Sequence, residues 1–119
     1  MKLTLKRHEI LKKRECFQIV FNKGKRLYGK HLSLIILPYK YRLVGFTVTK
    51  SCKLASQRNR IKRLLREIYR RQKHIFKKCI IIIHARTLYE MNYNILKEDF
   101  QKIIKRLQKI DKKNIYCSH

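Results

Sequence analysis

The sequence has few of the residues that let a protein catalyse a reaction alone. It holds seven acidic residues, five single histidines and three glycines among 119 residues, and no tryptophan. The carboxylates form no pair typical of a metal-dependent nuclease centre, and each histidine is interpreted as a structural or surface residue. There is no glycine-rich phosphate loop and no nucleophile motif. We therefore expect no catalytic residues and no protein-bound metal.

Long apolar runs are also missing. The longest run, Cys79–Ile83, is far shorter than the roughly 20 residues of a membrane-spanning helix. The first ten residues, MKLTLKRHEI, lack the apolar core of a secretory signal. The four cysteines contain no C-x-x-C pair and are read as reduced thiols, not zinc ligands. We expect a cytoplasmic protein with no membrane partner.

Positive charge is what the chain has in excess. Lysine and arginine number 32 against 7 acidic residues, which gives a formal net charge of +25. A compact domain with this excess repels itself unless a polyanion or salt screens it, and nucleic acid is the commonest such partner. The length and the hydrophobic content of 45% predict one domain over residues 1–119, with a frayed tail over about 110–119.

Hydrophobic periodicity predicts an α+β fold. Helices are predicted over 15–22, from an N-cap at Ser56 to about Gln72, and over 95–107. Gly24 is predicted to stop the first helix. Strands are predicted over 32–37, 43–49 and 79–83, with 25–28 as an edge strand. The short 38–42 segment favours an antiparallel hairpin between the first two of these strands, and the run at 79–83 indicates a strand buried on both faces.

The predicted second helix carries the densest charge. Its segment RNRIKRLLRE, residues 58–67, has five cationic side chains among ten positions. Its aliphatic residues recur at i, i+3, i+4 and i+7 and form one face, which leaves the cations on the rest of the circumference. Glu67 is the only acid in 58–73, whereas a solvated face normally mixes signs. Arginine predominates there and grips phosphate oxygens with two hydrogen bonds, so an RNA- or DNA-binding face is favoured over a solvated one.

Three segments together resemble one family. RNRIKRLLRE follows VGFTVTK at 44–50 and ECFQIVFNKGK at 15–25, in the order and spacing of the bacterial ribonuclease P protein subunit. The resemblance runs from about residue 6 to 108. It implies a two-layer α/β sandwich with three helices and one mixed, mainly antiparallel four-stranded sheet. It also implies that the basic helix forms a left-handed crossover between two parallel strands, where general rules favour a right-handed one.

The resemblance implies a partner and a reaction. Family members bind a large catalytic RNA that removes the 5′ leader of precursor tRNA, with Mg²⁺ held mainly by that RNA. The protein is then a component of an endoribonuclease and needs no protein partner. The residues matched to the face for the RNA subunit are Arg58, Asn59, Arg60, Lys62, Arg63, Arg66 and Arg70.

The resemblance also implies a groove for the single-stranded leader. Its matched residues are Phe17, Phe21, Lys50, Lys53 and Arg86. Aromatic rings in such a groove stack on bases of any sequence, although the i, i+4 spacing of the two phenylalanines also fits simple core packing.

The chain departs from the family pattern at several positions. Ser51 stands where a second basic residue is usual, Lys53 near a common glycine, and Ile35 in place of a frequent groove tyrosine. Leader contacts are therefore expected to be weaker or displaced towards Lys53, Tyr39 or Tyr41.

Two other functions stay open on the sequence. A structural or ribosomal RNA-binding protein would share the charge and fold but need no leader groove. A helix-turn-helix DNA regulator would read the major groove through residues 58–70, but it would also need a dimerisation element, and none is visible.

Overall fold

The computed structural model describes residues 5–86 and 92–117. Two single turns of 3₁₀ helix, Arg7–Glu9 and Lys73–Ile75, accompany the main elements. These elements are α1 (Arg14–Lys23), β1 (Lys25–Tyr28), β2 (Leu32–Pro38), β3 (Leu43–Val48), α2 (Ala55–Gln72), β4 (Cys79–Ala85) and α3 (Tyr93–Ile110). The predicted α+β class, with three helices and one mixed four-stranded sheet, is confirmed.

The sheet has the strand order β1-β2-β4-β3. β4 pairs antiparallel with β2 and parallel with β3, and β1 lies antiparallel on the edge of β2. The predicted hairpin between β2 and β3 is therefore wrong, because β4 lies between them. Strands two places apart are separated by about 10 Å, which the short connection can span. The parallel β3-α2-β4 unit is present, and the left-handed sense of its crossover stays a prediction.

β4 occupies the centre because it is apolar on both sides. Ile81 and Ile83 join the core beneath α2 and α3, whereas Ile80 and Ile82 join a second cluster beneath α1. All four are at most 5% exposed. Burial of each side chain stabilises the fold by on the order of 2 kcal/mol. Helices thus flank both faces of the sheet, with α1 alone on one of them.

Two helix ends differ in detail from the prediction. α2 begins at Ala55, and its N-cap is Leu54, whose side chain forms no capping hydrogen bond, so Ser56 is not the N-cap. Gly24 does end α1, but at a φ of −73° that any residue adopts. Glycine is needed there for space, because an added Cβ would lie 2.6 Å from the Val20 carbonyl oxygen.

Residues 111–117 pack on the domain, where a frayed tail was expected. The buried Asp111 carboxylate accepts hydrogen bonds from the backbone N–H groups of Ile115, Tyr116 and Cys117. Burial opposes ionisation of Asp111, but these hydrogen bonds outweigh it and hold its pKa below the usual range. Cys117 is fully buried and pairs with Phe76 through an isolated β-bridge.

A second buried carboxylate fastens α3 to the sheet. Asp99, 7% exposed, accepts hydrogen bonds of 2.9 Å from the backbone N–H groups of Lys30, His31 and Leu32. At Gly29 an added Cβ would lie 2.6 Å from this carboxylate, so only glycine lets the β1–β2 turn approach so closely.

We predict that Asp99→Asn lowers the free energy of unfolding by on the order of 1–3 kcal/mol, because the amide has one acceptor oxygen for three buried donors. Urea denaturation measures the change. Glu98→Gln, at the adjacent exposed position, is the matched control and should unfold like the wild type. Equal effects of the two substitutions would show that the Asp99 contacts do not hold the turn.

Candidate nucleic-acid interface

α2 has the amphipathic arrangement that its sequence predicts. Ile61, Leu65 and Ile68 are buried, each at most 2% exposed. Over residues 59–66 the exposed side chains are Asn59, Arg60, Lys62, Arg63 and Arg66, here called the α2 basic face. Within residues 5–86 and 92–117, no carboxylate forms an ion pair with its four cations. Their mutual repulsion is left for solvent, salt or a ligand to screen.

Two predicted members of this site have contacts of their own. Arg58 is half-buried and donates to the Cys52 carbonyl oxygen over 2.9 Å, so it also braces the turn before α2. Arg70 donates through two nitrogens to Glu67, at 2.6 and 2.7 Å, and Arg71 donates to the same carboxylate at 2.8 Å. The hydrogen bonds from Arg70 and then Arg71 lower the pKa of Glu67. Arg70 therefore differs from the α2 basic face, and its role in binding RNA stays a prediction.

The opposite side of the sheet carries a groove along α1. Phe17 is half-buried with its ring directly over Gly45, where an added Cβ would lie 2.5 Å from a ring carbon. Phe21 is also half-buried, with the Arg26 guanidinium carbon 5.6 Å from the centre of its ring. Both rings pack on the cluster around Ile35 and keep part of their surface open. Each of these two rings thus packs on the core with one part and leaves another part exposed.

Beyond α1, a polar row crosses all four strands on the same face. Register places Tyr28, Ser33, His84 and Thr47 side by side. The Thr47 hydroxyl and His84 Nδ1 are 2.7 Å apart, and Tyr28 is 51% exposed. The Arg86 guanidinium carbon lies 5.1 Å from the centre of the Tyr28 ring. The row, together with Phe17, Phe21, Arg26 and Arg86, is called the α1 groove.

The predicted basic groove residues gather at one edge of the sheet. Lys50 and Arg86 follow β3 and β4, which are parallel neighbours, and Thr49 N–H bonds the Ala85 carbonyl oxygen over 2.9 Å. Both side chains are exposed, as is Lys53 in the connection to α2. Ser51 is exposed beside them and adds no charge.

The sequence profile described as Ribonuclease P matches residues 5–108.

The chain belongs to the ribonuclease P protein family.

Two kinds of relative agree with this membership. The ribonuclease P protein component of Syntrophus aciditrophicus is 38% identical over 96 residues, which cover 77% of this chain and 81% of the relative. The solved ribonuclease P protein of Thermotoga maritima is 27% identical, with a TM-score of 0.72 over 82% of this chain and 96% of the other. That of Staphylococcus aureus, at 24% identity, shares the fold with a TM-score of 0.75 over 84% and 95%.

Within this ribonuclease P protein, the α1 groove contains residues that sequence reasoning missed. They are Arg26, Tyr28, Ser33, Thr47 and His84. Side chains alternate between the two faces of a strand. Because Leu27 and Ile83 face the core under α2 and α3, this alternation could have placed their neighbours Tyr28 and His84 on the α1 side. Strand order and register alone make them neighbours. Ile35, at 2% exposed, lies beneath α1 and presents no ring.

Side chains that could ligate a metal do not cluster in the described residues. In the part of the chain that the structure describes, no three His, Cys, Asp or Glu side chains converge. The α1 groove presents cations and a histidine, and no carboxylate is among the groove residues named above.

The described helices include none that is long and apolar enough to span a membrane.

His84 should make stability depend on pH. Burial, followed by the charges of Arg86 and Arg26, lowers its pKa from the ordinary 6.5. The unfolded chain then binds a proton at a higher pH than the folded chain, so this contribution to stability is complete above pH 6.5 and decreases as pH falls below it.

We therefore predict that wild type loses more unfolding free energy than His84→Asn between about pH 7.5 and about pH 5.5. Thermal or urea unfolding of both proteins at each pH measures the difference, and the comparison cancels the titration of the other histidines. Parallel pH profiles would mean that His84 titrates alike when folded and unfolded.

Proposed function

We propose that this chain is the protein subunit of ribonuclease P, which binds the catalytic RNA subunit and the 5′ leader of precursor tRNA. The observation that carries the proposal is the presence of two different cationic surfaces on opposite sides of the sheet. The α2 basic face suits a folded polyanion, and the α1 groove suits a single strand. A structural RNA-binding protein needs only the first.

The α2 basic face supports binding of the RNA subunit. Arg60, Arg63 and Arg66 are exposed on a helix whose aliphatic side is buried, so the backbone that carries them is in place before binding. Arginine pairs with phosphate oxygens through two parallel hydrogen bonds, and each contact releases condensed counterions. The contacts require phosphate geometry and no particular base.

The α1 groove supports binding of the leader. The open parts of Phe21 and Tyr28 offer ring surface for stacking, while Arg26, Arg86 and Lys50 offer charge for the phosphates. Stacking accepts every base, as leaders of different sequence require. Tyr28 pairs with Ser33, two residues before Ile35, and supplies an exposed ring on the same face of the sheet, whereas Ile35 supplies none.

In this proposal the protein does not perform hydrolysis. Mg²⁺ is held by the RNA subunit, because the groove side chains named here are cationic or neutral and do not fit a dication. The protein contributes affinity for precursor and stabilises the RNA fold, acts in the cytoplasm and requires no protein partner.

Reconstitution tests the function. Added to a bacterial ribonuclease P RNA at low Mg²⁺, the chain should restore leader removal, and it should tighten binding of precursor more than of mature tRNA. Absence of stimulation would overturn the proposal. Stimulated RNA folding with equal affinity for precursor and mature tRNA would instead favour the structural RNA-binding protein.

We predict that Phe21→Leu reduces the affinity of the reconstituted enzyme for precursor by about fivefold or more, since one stacked base contributes ~1–3 kcal/mol. Affinity for mature tRNA and for the RNA subunit should stay unchanged. Leucine keeps an apolar contact with the α1 cluster, and Ile19→Ala, at a position 49% exposed on α1, is the control. Equal loss for precursor and mature tRNA would mean that the ring does not touch the leader.

Salt dependence tests the other surface. Arg63→Ala should reduce the slope of log affinity for the RNA subunit against log salt by roughly one unit. Lys105→Ala, an exposed cation on α3, removes the same charge away from the proposed face and should leave the slope nearly unchanged. If both variants alter the slope equally, the attraction comes from net charge and not from the α2 basic face.

A further inference from the structure

The connection between β2 and β3 exposes two aromatic rings. Tyr39 and Tyr41 are 39% and 49% exposed, and their ring centres lie 5.1 Å apart at an interplanar angle of 74°. The Lys40 ammonium lies 5.8 and 5.7 Å from the two ring centres. Here these two rings are called the tyrosine pair. A cation shared by two exposed rings is an arrangement that favours an anionic ligand with a flat apolar part.

The backbone that carries the tyrosine pair is held in place. Tyr39 N–H donates to the Lys78 carbonyl oxygen over 3.0 Å. Arg42, next to Tyr41, donates to the carbonyl oxygens of Lys73 and Phe76 over 2.8 and 3.2 Å. The rings therefore need little ordering when a ligand binds, which lowers the entropic cost of association.

A hollow of about 330 Å³ lies beside the rings. Its apolar wall includes Leu11 and Leu43, and its cationic lining consists of Arg7, Lys12 and Lys13. None of the described residues that line it is acidic. This volume is in the range of small-ligand pockets, and the combination of flat rings, apolar wall and ammonium groups matches a base with its phosphate.

Glu9, which lies in sequence between the lining residues His8 and Ile10, does not oppose an anion there. Glu9 lines a separate hollow on the other side of Tyr41. Its carboxylate accepts hydrogen bonds from Lys73 Nζ over 2.9 Å and from the Lys6 backbone N–H over 2.8 Å. Burial opposes ionisation, but these contacts outweigh it and lower the pKa of Glu9. The carboxylate thus stays charged and neutralised by its own partners.

The tyrosine pair lies at the far end of the sheet from the polar row of the α1 groove. Tyr39 follows β2 and Tyr41 precedes β3, whereas Ser33 and Thr47 lie at the opposite ends of these strands. Six strand residues span about 20 Å. A strand of RNA in the α1 groove would therefore need several further nucleotides to reach the tyrosine pair.

We propose that the tyrosine pair and the adjoining hollow form a second single-stranded RNA site, which stacks one unpaired nucleotide and holds its phosphate with Lys12, Lys13 and Lys40. The inference extends the proposed function. The nucleotide comes either from a long 5′ leader or from an unpaired segment of the RNA subunit, and the chemistry of recognition is the same.

A tryptophan probe tests the site. The chain has no tryptophan, so Tyr41→Trp places a single tryptophan in the pair, whose emission is excited apart from that of the tyrosines, and keeps a flat ring. The probe is titrated with an unstructured RNA of about 12 nucleotides, with the RNA subunit alone, and with the reconstituted enzyme plus precursors of short or long leader. Fluorescence should be quenched by the oligonucleotide. Quenching by the RNA subunit alone assigns the nucleotide to that RNA, and quenching only by long leaders assigns it to precursor.

Two double variants separate stacking from other effects. Replacing both tyrosines with leucine should weaken binding of the oligonucleotide about tenfold, whereas replacing both with phenylalanine keeps the rings and should bind like wild type. Both positions are exposed, so an unchanged melting temperature shows that the fold is intact.

Unquenched fluorescence with every RNA, or a double-leucine variant that binds like wild type, would overturn the inference. If reconstitution fails but the oligonucleotide still quenches the probe, the proposed function is wrong and the site remains. If leader removal is restored without quenching, only the site is wrong.

Discussion

The burial of β4 on both faces is the constraint on which the rest of the structure depends. Its isoleucines alternate between the core under α2 and α3 and the cluster under α1, so the strand must be central and covered on both sides. Placing β4 between β2 and β3 puts α2 on one side of the sheet and α1 on the other. The two proposed RNA surfaces therefore lie on opposite sides of the sheet.

The partners of the acidic residues explain why the positive charge of the α2 basic face is not offset. Asp99 and Asp111 are buried and bind backbone N–H groups, while Glu9 and Glu67 each hold two cationic side chains. These four carboxylates have their partners elsewhere in the chain, and none pairs with the cations of the α2 basic face. The repulsion among those cations is therefore not relieved by these acids.

Sequence reasoning located the α2 basic face well and the α1 groove only in part. The first lies on one helix, where the 3.6-residue period alone decides which side chains share a face, as Ile61 and Arg63 illustrate. The second is assembled from α1 and four strands, so that Arg26, Tyr28 and His84 become neighbours only through strand order and register. The resemblance supplied Phe17, Phe21 and Arg86, but it could not show that Tyr28 pairs with Ser33.

The sequence by itself determined the elements, the excess of positive charge and the amphipathic α2, because charge and periodicity are local properties of the chain. Tertiary structure alone decided that β4 separates β2 from β3, that residues 111–117 pack on the domain through Asp111, and that Arg70 is held by Glu67. Each of these depends on which side chains meet after folding. A hydrophobic pattern in the sequence indicates that a surface must be buried, but it does not indicate which other part of the chain covers that surface.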